Sequence, residues 1–289
     1  MKIILFSRRQ LSHTAAEICQ LFNALRLFGF DYAVNEEFAP LVTELTGMQI
    51  PPEKVYGQCI GQQPADSLMV CYGGDGTLLE GVHRLCGAPI PVMGINAGHL
   101  GFLTSAPSAG LNLIFAAGRL TTEPRSMIEA TGDYAEQPDT ELGLNEFTVQ
   151  RHGAGMISVE TYVDEQMVAT YHGDGVIVST PTGSTAYSLS AGGPVVAPTC
   201  ACLVISPLAP HNLTMRPVVI PDSATITLRV DARRSDAFVT LDSRVYAIGQ
   251  EAAFTIKRAD QKIFLAVPHN ISFYDTLRNK MMWGIDIRS

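Results

Sequence analysis

The chain has 289 residues, of which 46% are hydrophobic and 17% are charged. This composition supplies ample apolar material for a core and excludes intrinsic disorder, and at about 150 residues per domain the length predicts roughly two domains. The 20 basic and 28 acidic residues give a net charge of −8, which opposes non-specific attraction to nucleic acid or to an anionic membrane. We therefore expect a globular protein with neither of those partners.

The N-terminus and the cysteine pattern predict a soluble, cytoplasmic protein. Only four apolar residues precede Ser7-Arg8-Arg9, too few for a signal peptide, and no later apolar run approaches the length of a membrane span. The cysteines show no C-x-x-C spacing, so we expect buried, reduced thiols and neither a zinc site nor a disulfide framework. They are Cys19, Cys59, Cys71, Cys86, Cys200 and Cys202.

The first third of the chain alternates short apolar runs with helical patterns, which predicts βα units and a largely parallel sheet. Apolar runs at 3–6, 68–72 and 91–96 predict strands. An apolar face at 16–27 and the run 78–85 predict helices, the first of which ends near Gly29.

Beyond about residue 120 the helical periodicity fades, and short β-branched runs separated by Gly, Pro, Asp or Asn predict a β-rich second domain. The tail 272–283 is again predicted to be helical. The predicted strands are 156–163, 167–171, 176–180, 202–206, 218–220, 225–230, 237–241, 252–256 and 263–267.

The sharpest feature of the first domain is the string Gly73-Gly74-Asp75-Gly76-Thr77, which lies between a predicted strand and a predicted helix. Glycines let the backbone approach a phosphate, and a helix N-terminus offers unpaired N–H groups and a favourable dipole. Asp75 is suited to accept a proton beside a phosphate or to engage Mg²⁺ there. The alternative is an ordinary tight turn in which Asp75 is the N-cap of the helix.

Motifs of several commoner enzymes are missing. The chain has no G-x-x-x-x-G-K-[ST] loop, and Leu79 stands where a dinucleotide-binding G-x-G-x-x-G fingerprint needs its third glycine. We find no H-E-x-x-H or other histidine pattern that predicts a metal ligand, and no G-x-S-x-G elbow of a serine hydrolase. P-loop NTPases, dehydrogenases of the usual type and serine hydrolases are therefore disfavoured.

Two features of the second domain are suited to nucleotide binding. Residues 179–190 are mostly small or hydroxylic with one aromatic, Tyr187, so polar ligands can approach closely and a ring can stack. The alternative is a Ser/Thr-rich turn into a short helix. Asn145-Glu146 could hold ribose hydroxyls through an amide and a carboxylate, but from the dipeptide alone an exposed turn is the favoured interpretation.

These residues, in this order along nearly the whole chain, resemble the NAD kinase family. The string 174–194 is highly specific, whereas Gly-Gly-Asp-Gly-Thr is shared with lipid kinases and resembles the phosphofructokinase turn. The matching strings are 73–77, 94–103, 144–146, 174–194, 210–213, 216–217 and 242–243.

The resemblance implies an enzyme that phosphorylates the 2′-hydroxyl of the adenosine ribose of NAD to give NADP, with ATP or polyphosphate as donor and a divalent cation, Mg²⁺ or Mn²⁺. It implies an N-terminal Rossmann-like α/β domain (1–120), a C-terminal β-rich, sandwich-like domain (121–270) and a segment (271–289) that returns to the first domain. It also implies a homodimer or homotetramer, and the active site is expected in the cleft between the domains.

The resemblance assigns roles by position, and no residue is assigned to a metal. Asp75 is the implied proton acceptor, and Gly73, Gly74, Gly76 and Thr77 face the phosphate donor. Asn145 and Glu146 are implied to hold ribose, and Asp174 the nicotinamide end. The other implied NAD contacts are Gly76, Phe102, His172, Thr185, Ala186, Tyr187, Ser188, Leu189, Ser190, Ala209 and Arg244.

Two residues depart from the family pattern, since His172 replaces a common Arg and Arg244 a common Gln. The choice between NAD and NADH is therefore left open. Because no Lys or Arg lies between His172 and His211, we expect backbone amides, helix ends and metal ions to hold phosphate. Two other functions stay open: a lipid or sugar kinase with the same turn, and a non-catalytic dinucleotide sensor.

Overall fold

A computed structural model describes residues 1–8, 13–96, 101–104, 106–107, 120–135, 140–233, 236–268 and 272–283; at 106–107 and 140 it describes the backbone alone. The chain divides into two compact units. The first comprises residues 1–124 and 263–289, and the second residues 125–262.

The described elements are mainly strands, with helices concentrated in the first unit. The helices are α1 Ala15–Leu27, α2 Phe38–Thr46, α3 Asp75–Arg84, the single turn α4 Tyr187–Ser190 and α5 Phe273–Met281. The strands are β1 Lys2–Phe6, β2 Asp31–Asn35, β3 Val55–Tyr56, β4 Leu68–Tyr72, β5 Val92–Asn96, β6 Ala106–Pro107, β7 Leu120–Gly132, β8 Thr140–Gly143, β9 Glu146–His152, β10 Ile157–Val163, β11 Gln166–Gly173, β12 Gly175–Ser179, β13 Cys202–Leu208, β14 Val218–Pro221, β15 Ile226–Asp231, β16 Asp236–Leu241, β17 Arg244–Ala247 and β18 Glu251–Pro268.

The first unit is built on a parallel sheet in the order β3-β2-β1-β4-β5. Strand β4 is buried along its whole length because a parallel sheet is covered on both faces, which explains its unbroken apolar sequence. Helix α1 begins with a capping box, in which Thr14 and Glu17 satisfy each other's backbone amides. The predicted strand–turn–helix pattern of this unit is confirmed.

The cysteines differ from the prediction of buried, reduced thiols. Cys59 and Cys86 form a disulfide with a Cα–Cα distance of 5.7 Å, while the free cysteine Cys200 is exposed. Residues 59 and 86 are distant in sequence, but Cys86 lies two residues beyond the end of α3. The Cys59 segment packs against the same helix end, where the amide of Ile60 donates to the carbonyl of Arg84. No spacing rule reveals this pairing, which depends on the path of the chain.

The second unit is strand-rich, as predicted. An antiparallel sheet runs in the order β14-β13-β12-β9-β16-β17, and a second set of antiparallel strands in the order β11-β10-β15-β18. Alternating inward residues from both form one apolar core that includes Phe147, Val178 and Phe254. The strands predicted at 252–256 and 263–267 are one continuous strand, β18, because the polar segment between them stays extended and forms no turn.

Among the described residues, no helix combines the length and the apolar character needed to cross a membrane.

Candidate active site

The glycine turn of the first unit joins β4 to α3. Gly74 is the N-cap and Asp75 the first helical residue, so the alternative that makes Asp75 the N-cap is wrong. Gly73 has φ of +152°, and a Cβ there would lie 2.5 Å from Oγ1 of Thr77, so only glycine fits. The first amides of a helix lack partners within it, as an anion site requires, although here the amide of Thr77 donates to the carbonyl of Gly74 at 2.9 Å.

The carboxylate of Asp75 is fixed by the loop that follows β5. Its Oδ2 accepts the amide of Phe102 at 2.8 Å, and its Oδ1 accepts the amides of Leu103 and Thr104 at 3.2 and 3.0 Å. The hydroxyl of Thr104 adds a bond to Oδ1 at 2.9 Å. Three bonds thus converge on Oδ1, whereas Oδ2 receives one.

Gly101 makes room for this carboxylate. A Cβ at Gly101 would lie 1.8 Å from Oδ1 of Asp75 and 2.3 Å from Oγ1 of Thr104. A real side chain therefore cannot coexist with the observed position of Asp75. Of the string 94–103 that carries part of the resemblance, residues 97–100 lie outside the described part of the chain.

Two cations reach the turn from distant parts of the first unit. Arg8 lies just after β1, and its Nη1 is 3.4 Å from the place that a Cβ on Gly76 would take. Its Nε is bonded to Glu80 at 2.5 Å. Lys280, on α5, places Nζ 3.7 Å from Oδ2 of Asp75 and 4.5 Å from the ring centre of Phe102. Neither cation is predicted from the sequence, because no motif marks them.

In the second unit, Asn145 and Glu146 lie at the start of β9 and are only 6% and 7% exposed, so the expectation of an exposed turn is wrong. Asp242 fixes their backbone by accepting the amides of Leu144, Asn145 and Glu146 at 2.9, 2.7 and 3.3 Å. Oδ1 of Asn145 and Oε2 of Glu146 have no hydrogen-bond partner among the described residues. Buried polar atoms normally have one, so this pair is suited to an external donor such as a hydroxyl.

The two buried carboxyl groups affect each other. Burial, and then the nearby Asp242, raise the pKa of Glu146 to about 8, while the amide of Tyr187 acts in the opposite direction. Burial also raises the pKa of Asp242, but three backbone amides and Arg244 oppose that rise. With its pKa at about 8, Glu146 holds its proton at neutral pH, because no comparable set of donors stabilises its charged form.

The small-residue segment folds as a 3-10 turn, Thr182–Thr185, followed by α4. This local structure is the one expected if the segment is only a Ser/Thr-rich turn into a short helix. The role of the segment in nucleotide binding therefore stays a prediction. Tyr187 is 40% exposed, so its ring can stack with a ligand, and its hydroxyl donates to Gln150 at 3.3 Å. The hydroxyl of Ser188 instead pairs with Ser206 inside the core at 2.9 Å.

The remaining predicted contacts of the second unit have varied surroundings. Asp174 is paired with Arg151 at 2.5 Å, and Arg244 with Glu141 at 2.8 Å. His172 and Ala209 are exposed, and Ala209 has φ of +38°. Arg244 therefore supports local structure in the free protein, and its role toward a dinucleotide stays a prediction.

No group of three His, Cys, Asp or Glu residues with the geometry of a metal site occurs in the described part of the chain.

Comparison with known proteins identifies the family. The model of the ATP-NAD kinase N-terminal domain matches residues 10–115, and that of the C-terminal domain matches residues 144–267. The chain is 35% identical to NAD kinase of Flavobacterium psychrophilum over 295 residues, which covers 100% of both chains. It is 40% identical to NAD kinase of Cytophaga hutchinsonii over 228 residues, 77% of each chain. The chain belongs to the NAD kinase family.

The resemblance seen in the sequence is thereby confirmed, and the chain is a kinase that phosphorylates NAD to NADP with ATP. The fold agrees as well. The crystal structure of yeast NADH kinase complexed with NADH superposes with a TM-score of 0.83 at 20% identity, covering 100% of this chain and 89% of that one. The predicted fold class, an α/β unit and a strand-rich unit, is confirmed.

Proposed function

We propose that the enzyme transfers the γ-phosphoryl group of ATP to the 2′-hydroxyl of the adenosine ribose of NAD, with Asp75 as the proton acceptor. The observation that carries this proposal is the carboxylate of Asp75, held by four hydrogen bonds at the first turn of α3. Phosphoryl transfer asks a protein mainly to position its two substrates and to offset charge. The fixed carboxylate can position the attacking hydroxyl, and the helix amides beside it can offset charge on the phosphate.

The two oxygens of Asp75 have different tasks. Because Oδ1 already accepts three hydrogen bonds, Oδ2 is the oxygen with capacity for a further proton. The 2′-hydroxyl gives its proton to Oδ2, its oxygen forms a bond to the γ-phosphorus, and the bond from that phosphorus to the β-bridging oxygen breaks. ADP leaves with the electron pair of the broken bond.

The binding roles divide between the units. In the first, Gly73, Gly74, Gly76 and Thr77 face the phosphate donor, and Phe102 lies on the NAD side of Asp75. In the second, the unpartnered oxygens of Asn145 and Glu146 accept ribose hydroxyls. Asp174 would meet the nicotinamide end. The adenosine and the rest of NAD would contact His172, Thr185, Ala186, Tyr187, Ser188, Leu189, Ser190, Ala209 and Arg244.

A divalent cation, Mg²⁺ or Mn²⁺, would offset negative charge on the phosphates when bound. The described residues include no group of three candidate metal ligands. We expect the cation to arrive with ATP, because phosphate oxygens are the hard ligands that Mg²⁺ prefers. The cytoplasmic location and the homo-oligomer expected from the sequence stay predictions.

The test is product formation by the purified protein. We expect NADP, detected with an NADP-specific dehydrogenase, from NAD and ATP in the presence of Mg²⁺ or Mn²⁺, and its absence when the cation is chelated. Other nucleoside triphosphates and polyphosphate in place of ATP define the donor range. Binding of NAD without NADP from any donor or metal would instead indicate a dinucleotide sensor.

A further inference from the structure

Lys280 lies on the C-terminal helix α5, and its ammonium group reaches the carboxylate of Asp75. Its Nζ lies 3.7 Å from Oδ2, the oxygen proposed to take the proton, and 4.5 Å from the ring centre of Phe102. The aromatic face attracts the ammonium group and holds it beside the carboxylate. The side chain is 35% exposed, so a ligand can reach it.

Lys280 is not needed to hold Asp75 in place. Four hydrogen bonds from Phe102, Leu103 and Thr104 already fix the carboxylate, and 3.7 Å is too long for a fifth. Among the residues that the structure describes, the ammonium of Lys280 has no hydrogen-bond partner, so its three donors are available.

The other cation at the turn is differently placed. Arg8 is bonded to Glu80 at 2.5 Å, and this carboxylate offsets its charge. The charge of Lys280 faces Asp75 instead, where the reaction would bring the negative oxygens of a triphosphate next to a negative proton acceptor. Without a cation between them, those two anions repel each other.

We propose that Lys280 contacts the phosphoryl group that is transferred, donating hydrogen bonds to its oxygens. This inference rests on the proposed function and adds a residue to it. Lys280 offsets the charge shared by the donor phosphate and Asp75 and takes no part in the proton transfer. A preorganised cation of this kind stabilises the transition state more than the ground state.

The test compares Lys280→Met and Lys280→Arg with a matched control, Arg278→Met. Arg278 lies on the same helix but pairs with Asp275, so the control removes the same charge away from the site. We expect Lys280→Met to lower kcat/KM for ATP by about 10²-fold, the usual effect of losing one transition-state donor. The KM for NAD should stay near that of the wild type, Lys280→Arg should recover part of the loss, and Arg278→Met should behave as the wild type.

A second readout does not depend on turnover. Inorganic tripolyphosphate should raise the melting temperature of the wild type and of Arg278→Met. The increase should be much smaller for Lys280→Met, because a ligand stabilises only the protein that binds it. Unchanged kcat/KM for ATP in Lys280→Met, or an unchanged tripolyphosphate shift, overturns the inference. If the wild type forms no NADP while the shift still depends on Lys280, the proposed function fails and the phosphate contact stands.

Discussion

At the scale of single residues, the site depends on carboxylates whose surroundings are set by backbone amides. Asp75 and Asp242 each accept three backbone N–H groups, from 102–104 and 144–146 respectively. In both cases the carboxylate and the loop fix each other, because loop amides without a partner are costly to bury. Glu146 has no such set of donors, which leaves it protonated beside Asp242 in the free protein.

We expect Gly101→Ala to abolish most of the activity without unfolding the protein, because the new methyl group would occupy the position of Oδ1 of Asp75. A displacement of about 1 Å at a reacting group lowers kcat by about 10²-fold. Gly57→Ala is the matched control, since its Cβ would meet only the flexible side chain of Glu36 at 3.4 Å. Steady-state kinetics and thermal melting of both variants check this, and a fully active Gly101→Ala enzyme contradicts it.

The pKa of Glu146 predicts a dependence of stability on pH. Its pKa rises from 4.5, the ordinary value, to about 8 in the folded protein. Between those values the folded state binds a proton that the unfolded state lacks, so the free energy of unfolding falls as pH rises, by up to about 1.4 kcal/mol per pH unit. Above pH 8 this contribution is lost and the slope from Glu146 vanishes.

Urea unfolding of the free protein from pH 5 to 9 measures this slope. Glu146→Gln should remove most of it, because a neutral amide cannot titrate, whereas Glu165→Gln, at an exposed turn, should leave it unchanged. Equal slopes in the wild type and in Glu146→Gln would show that Glu146 is charged in the folded protein.

At the scale of elements, the strand–turn–helix unit around Asp75 was predictable because its signals are local. An unbroken apolar run, three glycines and an amphipathic helix identify β4, the turn and α3 from about twenty residues. Elements with mixed signals were missed: β7 contains Pro124 and several polar residues, and α2 contains Pro40 in its first turn, where proline is tolerated. The burial of Asn145 and Glu146 was missed because it depends on Asp242, which is distant in sequence.

The disulfide at the end of α3 should contribute to stability. It closes a segment with a sequence separation of 27, for which chain entropy predicts about 3 to 4 kcal/mol. We expect Cys86→Ser to lower the free energy of unfolding by that amount without reductant, and dithiothreitol to bring the wild type to the same value. Cys200→Ser, at an exposed free cysteine, is the control. If the urea midpoint of the wild type is the same with and without dithiothreitol, the disulfide does not form in solution.

At the scale of the whole molecule, each unit has its own apolar core and its own set of polar groups. The first supplies the phosphate turn and Asp75, and the second the buried Asn145–Glu146 pair. Length and composition indicated two units, and the ordered motifs indicated the family. The cations could not be found this way: Arg8 and Lys280 lie near opposite ends of the chain, and only the fold brings them to the turn. Although the net charge is −8, Arg8 and Lys280 give the surroundings of Asp75 a local positive charge.

The central claim is that the carboxylate of Asp75 accepts the proton of the attacking hydroxyl. The most direct measurement is the rate of ATP-dependent NADP formation by Asp75→Asn, which keeps the shape of the side chain but removes its basicity. We predict that kcat falls by about 10²- to 10⁴-fold, the contribution of a general base, while the enzyme stays folded and its affinity for NAD stays near that of the wild type. The melting temperature should fall slightly, because the new amide NH2 group cannot accept the hydrogen bond that Phe102 donates to Oδ2. Turnover like that of the wild type in a folded Asp75→Asn enzyme would contradict the claim.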